Sequence, residues 1–159
     1  MDHYVDLDKL SERQRLVLEK ASEAMKLAHA PCSGFHVGAA LISPDGRIFA
    51  GSNVENASYG ATICAERSAI VIANSLGCRT FEYLAIIARG KGFITKEVTA
   101  PCGICRQVLF EFAQLAGLNI AIILATTNKD KILVTTIEDL LPRGFGPKDL
   151  GIDLTPFRR

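Results

Sequence analysis

Cys64-Ala65-Glu66 and Pro101-Cys102-Gly103-Ile104-Cys105 are the two stretches on which the reading of this chain turns. Each stands at the expected start of a helix. There, backbone N–H groups and the positive end of the helix dipole favour thiolate over thiol, and thiolate is the form that binds a metal. Cys102 and Cys105 are three apart, so they project from one side of the same first turn. Three thiolates can converge on one ion, and soft sulfur ligands in that number favour Zn2+; no fourth protein ligand stands at motif spacing. The fourth tetrahedral position is then left to water, which on zinc becomes a nucleophile near neutral pH. Glu66 lies two residues past Cys64, close enough to that water to shuttle its proton without being a ligand. Three thiolates give the site a net negative charge. Arg67, directly after Glu66, and Arg106, directly after Cys105, are expected to offset it by hydrogen-bonding the sulfurs.

Outward from these motifs the chain alternates helix and strand signals. Residues 11–30 carry apolar side chains at helical spacing (Val17, Leu18, Ala21, Ala24, Met25, Ala28), with Ser11 as N-cap and Pro31 as terminator. Two short apolar stretches in residues 35–52 flank Ser43-Pro44-Asp45-Gly46, which is turn chemistry and predicts a β-hairpin. A second helix is expected from Thr62 or Ile63 to Leu76, closed by Gly77, and a third over residues 103–115, closed by Gly117. Residues 83–88 are apolar without alternation, the pattern of a strand covered on both faces. Residues 120–125 and 132–135 predict two more strands, residues 137–141 a short helix, and residues 144–159 an irregular tail. Gly90-Lys91-Gly92 lacks the spacing of a phosphate-binding loop and reads as a solvated turn. This element order predicts an α/β fold, a mixed sheet with helices packed on its faces.

Composition narrows the function classes. A chain of 159 residues, 48% hydrophobic and 22% charged, can bury a core, and its length fits one domain. With 18 Lys and Arg against 17 Asp and Glu, spread along the chain, it lacks the clustered cations that a nucleic-acid polymer requires. The N-terminus has no apolar leader and no run approaches the roughly 20 residues of a membrane span. A cytoplasmic location and no membrane partner are the expectations. Five cysteines in such a setting are metal ligands or catalytic thiols before they are disulfides. Cys32 and Cys78 belong to no motif and are expected to be buried, inert thiols.

Cys-x-Glu followed by Pro-Cys-x-x-Cys has the spacing of the zinc-dependent base deaminases, with Cys64 where some carry His. The segments Phe35-His36-Val37-Gly38-Ala39-Ala40-Leu41, Asn53-Val54-Glu55-Asn56-Ala57, Cys64-Ala65-Glu66-Arg67 and Pro101-Cys102-Gly103-Ile104-Cys105-Arg106-Gln107 together resemble the small homotetrameric cytidine deaminases. The likeness continues through Glu138-Asp139-Leu140-Leu141-Pro142 and Phe145-Gly146-Pro147, so it covers nearly the whole chain. The resemblance implies a three-layer α/β/α sandwich around a five-stranded mixed sheet, residues 1–159 as a single catalytic domain, one Zn2+ per subunit and a homotetramer. It also implies hydrolytic deamination of free cytidine and 2′-deoxycytidine in pyrimidine salvage, with Glu66 catalytic.

By the same resemblance, Asn53 and Glu55 match the pair that hydrogen-bonds the ribose hydroxyls, in a substrate-binding segment that includes Ala57. Phe35 matches an aromatic that packs on the pyrimidine, and Ala65 offers its backbone N–H to the base carbonyl. Tyr59 and Phe145 match positions that reach into a neighbouring subunit's site. Cys32 and His29 depart from the Tyr or Asn frequent there, which bears on substrate preference, and His36 is expected on the strand surface rather than on the metal. Two other deaminase substrates compete with this reading, a modified cytosine nucleoside of the blasticidin type and a polynucleotide. Further alternatives are a structural zinc module that binds a protein and a cysteine-nucleophile enzyme without metal.

Overall fold

Turn chemistry at Ser43-Pro44-Asp45-Gly46 produces the expected hairpin, which anchors one end of the sheet. In the computed structural model, which describes residues 3–158, β2 (His36–Ile42) and β3 (Ile48–Ser52) pair antiparallel from Gly38 opposite Ser52 to Ile42 opposite Ile48. The Ser43 hydroxyl closes the turn, accepting from the Arg47 N–H and donating to the Asp45 carboxylate. Next to β2 lies β4 (Tyr83–Gly90), antiparallel to β2 and parallel to β6 (Ala121–Ala125), and β6 pairs antiparallel with β7 (Ile132–Thr136). Leu84 to Ala88 are fully buried, as an unbroken apolar run in a doubly covered strand requires.

Among the described residues the sheet has seven strands rather than five. β1 (His3–Val5) pairs with β7, giving the order β1-β7-β6-β4-β2-β3, and the two-residue β5 (Phe93–Ile94) folds back on the end of β4. Both additions are too short, at three and two residues, to set a readable period, and both lie largely exposed at the margins of the sheet, the apolar Phe93 and Ile94 included. Gly90-Lys91-Gly92 is the turn of the β4–β5 hairpin.

Helices cover both faces. α1 (Glu12–Met25) packs Val17, Leu18, Ala21 and Met25 against Ala40, Ile42, Ala85, Ile87 and Ile123. On the opposite face α2 (Ala65–Ser75) and α3 (Gly103–Ala116) pack Ala65, Ala69, Ala73, Leu109 and Ala113 against Leu41, Leu84, Ile86, Ile122 and Leu124. This is the three-layer α/β/α sandwich, with α4 (Ile137–Leu140) beside α3. Among the described residues, no helix is long and apolar enough to cross a membrane.

Ser11 caps α1 in a full capping box with Gln14, worth about 1 kcal/mol. Two helix boundaries differ from expectation for one reason. α1 ends at Met25 because the backbone of His29 pairs instead with Asn53 and Glu55. α2 begins at Ala65 because Val54 and Ile63 exchange both backbone hydrogen bonds, at 2.9 and 3.0 Å. Segment 53–55 is therefore gripped from both sides, and this fixes Asn53 and Glu55 relative to Cys64. Close packing also places α2. A Cβ on Gly51 of β3 would lie 2.6 Å from the Ala69 nitrogen and 3.0 Å from the Ala65 carbonyl, so only glycine lets the start of α2 sit this near the sheet.

Candidate active site

Cys64 and Cys102 are the N-cap residues of α2 and α3, and Cys105 lies in the first turn of α3. Their three Sγ atoms all lie within 4.8 Å of one another, with Cys64 and Cys102 at 3.8 Å. Thiolates arranged tetrahedrally on zinc at about 2.3 Å lie about 3.8 Å apart, so this donor set fits zinc in kind and in spacing. The Arg67 guanidinium stands beside Cys64 and Cys105, its NH2 donates to the Thr62 carbonyl at 2.9 Å, and its buried Nε has no hydrogen-bond partner. A buried cationic donor left open beside sulfur suits a site that carries excess negative charge.

Electrostatics divides the sulfurs. A hydrogen bond from Cys105, helped by Cys102 and Arg67, pulls the Cys64 thiol down to about 5, and the same pairing pushes Cys105 up. A bound metal would take all three sulfurs as thiolates. Glu66 is 4% exposed, and burial, with the Cys64 charge adding to it, raises its carboxyl to about 7.

These groups open into a cavity of about 330 Å3, within the range of small-molecule sites. Phe35, Asn53, Glu55, Ala65 and Glu66 line it beside Cys64 and Cys102. Ala65, at the first position of α2, has an N–H without an intrahelical acceptor. Asn53 is 9% exposed and clamps the start of β2, donating from Nδ2 to the Phe35 carbonyl at 2.9 Å and accepting from the Val37 N–H at 2.8 Å. One amide N–H and one lone pair remain for a ligand. The lining also includes Ser33, Val37, Thr62, Thr99 and Ala100, which sequence reasoning missed. Thr99 and Ala100 directly precede Pro101-Cys102, so adjacency was a usable signal for them. Nothing local marks the others.

Several expected residues sit elsewhere. Tyr59, 79% exposed, lines an adjoining hollow of about 420 Å3 with Cys32, Ser33 and Glu55. Ala57 is exposed and Phe145 is 61% exposed, and neither lines the cavity. Arg106 is committed to backbone carbonyls rather than to sulfur, donating to Pro101 at 2.8 Å and Leu140 at 3.0 Å, so it braces the turn that presents Cys102. Cys78 is buried as expected, but Cys32 is exposed at the mouth of the site. His36 is half-buried on β2 rather than on the strand surface, outside the sulfur cluster, its Nδ1 lacking a partner. A wider hollow of about 790 Å3 along β1 and β7 brings together none of the candidate residues.

An α/β/α sandwich that clusters three sulfurs, two of them and a protonatable carboxyl lining one hollow, defines a zinc-type hydrolytic enzyme. The family model described as cytidine and deoxycytidylate deaminase zinc-binding region matches residues 11–122. The cytidine deaminase of Sporosarcina psychrophila is 41% identical over 138 residues, covering 86% of this chain and 93% of that one. The Halalkalibacterium halodurans cytidine deaminase is also 41% identical, over 87% of this chain and 98% of its own length. A crystal structure of cytidine deaminase from Burkholderia pseudomallei superposes with a TM-score of 0.74 at 38% identity, over 86% of this chain and all of that one. The chain belongs to the cytidine and deoxycytidylate deaminase family.

Proposed function

We propose that the chain hydrolyses free cytidine and 2′-deoxycytidine to uridine and 2′-deoxyuridine, consuming one water and releasing ammonia. The observation that carries this is Glu66, a buried carboxyl with its value raised to about 7, sharing a cavity with Cys64 and Cys102. Cys64, Cys102 and Cys105 would hold one zinc per subunit. When bound, zinc supplies a water acidified to a pKa of about 7 as the attacking group. Glu66 accepts that water's proton and delivers it to N3 of the base as oxygen adds at C4. It then takes the proton of the hydroxyl added at C4 and passes it to the amino group, which leaves as ammonia as the C4 carbonyl forms. A carboxyl poised near neutrality takes and gives a proton with comparable ease, which this double duty requires.

Phe35 packs on the pyrimidine, the Ala65 N–H binds the base carbonyl, and Asn53 and Glu55 bind the sugar hydroxyls beside Ala57. Arg67 compensates the sulfur charge directly, and Arg106 acts by bracing Pro101 and Cys102. The exposed Tyr59 and Phe145 complete the sites of neighbouring subunits, which makes the working form a homotetramer. Residues 1–159 form one catalytic domain of a cytoplasmic salvage enzyme with no nucleic-acid or membrane partner.

Purified Glu66→Gln is the test. It should keep its zinc and lose uridine formation, followed by ultraviolet absorbance, by at least about 100-fold. Near-normal turnover would remove Glu66 from the reaction. The exposed Cys32 at the mouth of the site favours one second reading, a modified cytosine nucleoside as substrate, and a substrate panel separates the two.

A further inference from the structure

The turn at residues 31–34 has no role in the chemistry above, yet it holds the sugar-facing carboxylate. The Ser33 hydroxyl donates to Glu55 Oε1, while the backbone N–H groups of Cys32 and Ser33 both donate to Oε2, at 2.8 and 3.2 Å. Ser33 Oγ also accepts from the Phe35 N–H at 2.9 Å. Phe35 is in turn tied through its carbonyl to Asn53. The result is a ring through Ser33, Phe35, Asn53 and Glu55, closed by the backbone of residues 53–55, in which one hydroxyl links the carboxylate to the residue that leads into β2 and carries the base-facing phenyl group. The turn is itself held firmly. Gly34 sits at φ +66°, its N–H bonds the Ala30 carbonyl at 2.9 Å, and a Cβ there would meet the Lys91 side chain at 2.6 Å.

An ionised carboxylate offers about four acceptor positions. Three are occupied by this turn, which leaves about one to face the cavity, enough for a single hydroxyl. We propose that Ser33 is a positioning residue that fixes the Glu55 carboxylate in the orientation that captures a sugar hydroxyl, and thereby sets the preference for nucleosides with an intact sugar. The proposal rests on the assignment of Glu55 to the sugar. Without the Ser33 hydroxyl, Oε1 loses its donor and the carboxylate can rotate away, whereas Phe35 loses one acceptor for its N–H and stays held through its carbonyl by Asn53.

Steady-state kinetics on cytidine and on 2′,3′-dideoxycytidine, whose sugar lacks both ring hydroxyls, provide the test. Ser33 is exposed and its replacement leaves the core untouched. Ser33→Ala should raise KM for cytidine about tenfold, with kcat changed less than about twofold, as expected when binding common to ground and transition states is removed. KM for the dideoxy substrate should move less than about twofold. Ser33→Thr, which keeps the hydroxyl, should recover most of the loss. Ser33→Ala added to Glu55→Gln should cost nothing further, because the two residues act as one unit. An equal rise in KM for both substrates would overturn the proposal and leave Ser33 a loop-forming residue. So would a Ser33→Ala variant indistinguishable from the parent while Glu55→Gln still discriminates between the substrates. If Glu55→Gln itself weakens both substrates alike, the sugar assignment of Glu55 fails instead.

Discussion

Arg67 illustrates how much of this site depends on single side chains. Its guanidinium neighbours two sulfurs and keeps one buried donor open, so removing it leaves the sulfur charge uncompensated. Arg67→Ala is expected to cost about 10–100-fold in zinc affinity or in turnover, measurable by chelator competition and by kcat. Retention of both would assign the residue to the Thr62 carbonyl alone. Glu55 gives a pH prediction. The Ser33 hydrogen bond, followed by the Cys32 and Ser33 amides, holds its carboxyl below the usual range. A depressed folded value means that this contact contributes stability above the ordinary carboxylate pKa and loses it as pH falls through the folded value. Carbon-13 titration of the Glu55 carboxyl should therefore show a low midpoint that moves up in Ser33→Ala. The reacting residues were legible because their spacing is local: Cys64, Glu66, Cys102 and Cys105 sit at helix starts that their own neighbours announce. Ser33 and Thr62 were not, since only the bridges from segment 53–55 to His29 and Ile63 bring their loops to the cavity.

At the level of elements, the approach of α2 to β3 decides where the first sulfur stands. Ala65, Ala69 and Ala73 form a stripe of small side chains on α2, and Gly51 faces it. Gly51→Ala inserts a methyl against the α2 backbone, which should destabilise the fold by about 1–3 kcal/mol and shift Cys64 and Glu66 away from Cys102. Denaturant unfolding and turnover should both register the change, and an unaffected kcat would mean that α2 moves as a rigid unit with its partners. Ser11→Ala makes the contrast, since losing the α1 cap should cost about 1 kcal/mol of stability with turnover per folded molecule unchanged. The same scale shows where periodicity runs out. The hairpin, the buried central strand and the glycine ends of α2 and α3 follow from local chemistry. The early end of α1 and the late start of α2 do not, because isolated bridges to residues 53–55 outcompete two helical turns there. The two marginal strands escaped for another reason: at three and two residues they are too short to set a period, even where both side chains are apolar, as in Phe93 and Ile94.

Considered whole, the molecule has a site whose proposed completion lies in another copy. If Phe145 of one subunit serves its neighbour, two inactive variants should rescue each other. Glu66→Gln contributes an intact Phe145, and Phe145→Ala contributes an intact Glu66, so co-refolded mixtures should regain a fraction of parental turnover. Mixtures no more active than their separate components would place each site within one chain. The starts of α2 and α3 carry a last consequence. Neither Cys64 nor Cys102 makes a side-chain cap hydrogen bond, at a position where Ser, Thr or Asp is worth about 1 kcal/mol. Two helices that leave their first turns uncapped, and bring their sulfurs together there, would be riveted by a shared ion. At free zinc about 1,000-fold above its Kd, that rivet adds about 4 kcal/mol to the cost of unfolding. Chelation should then let the opening turns of α2 and α3 fray in concert, seen as matched acceleration of amide hydrogen exchange, while α1 under its Ser11 and Gln14 cap stays protected.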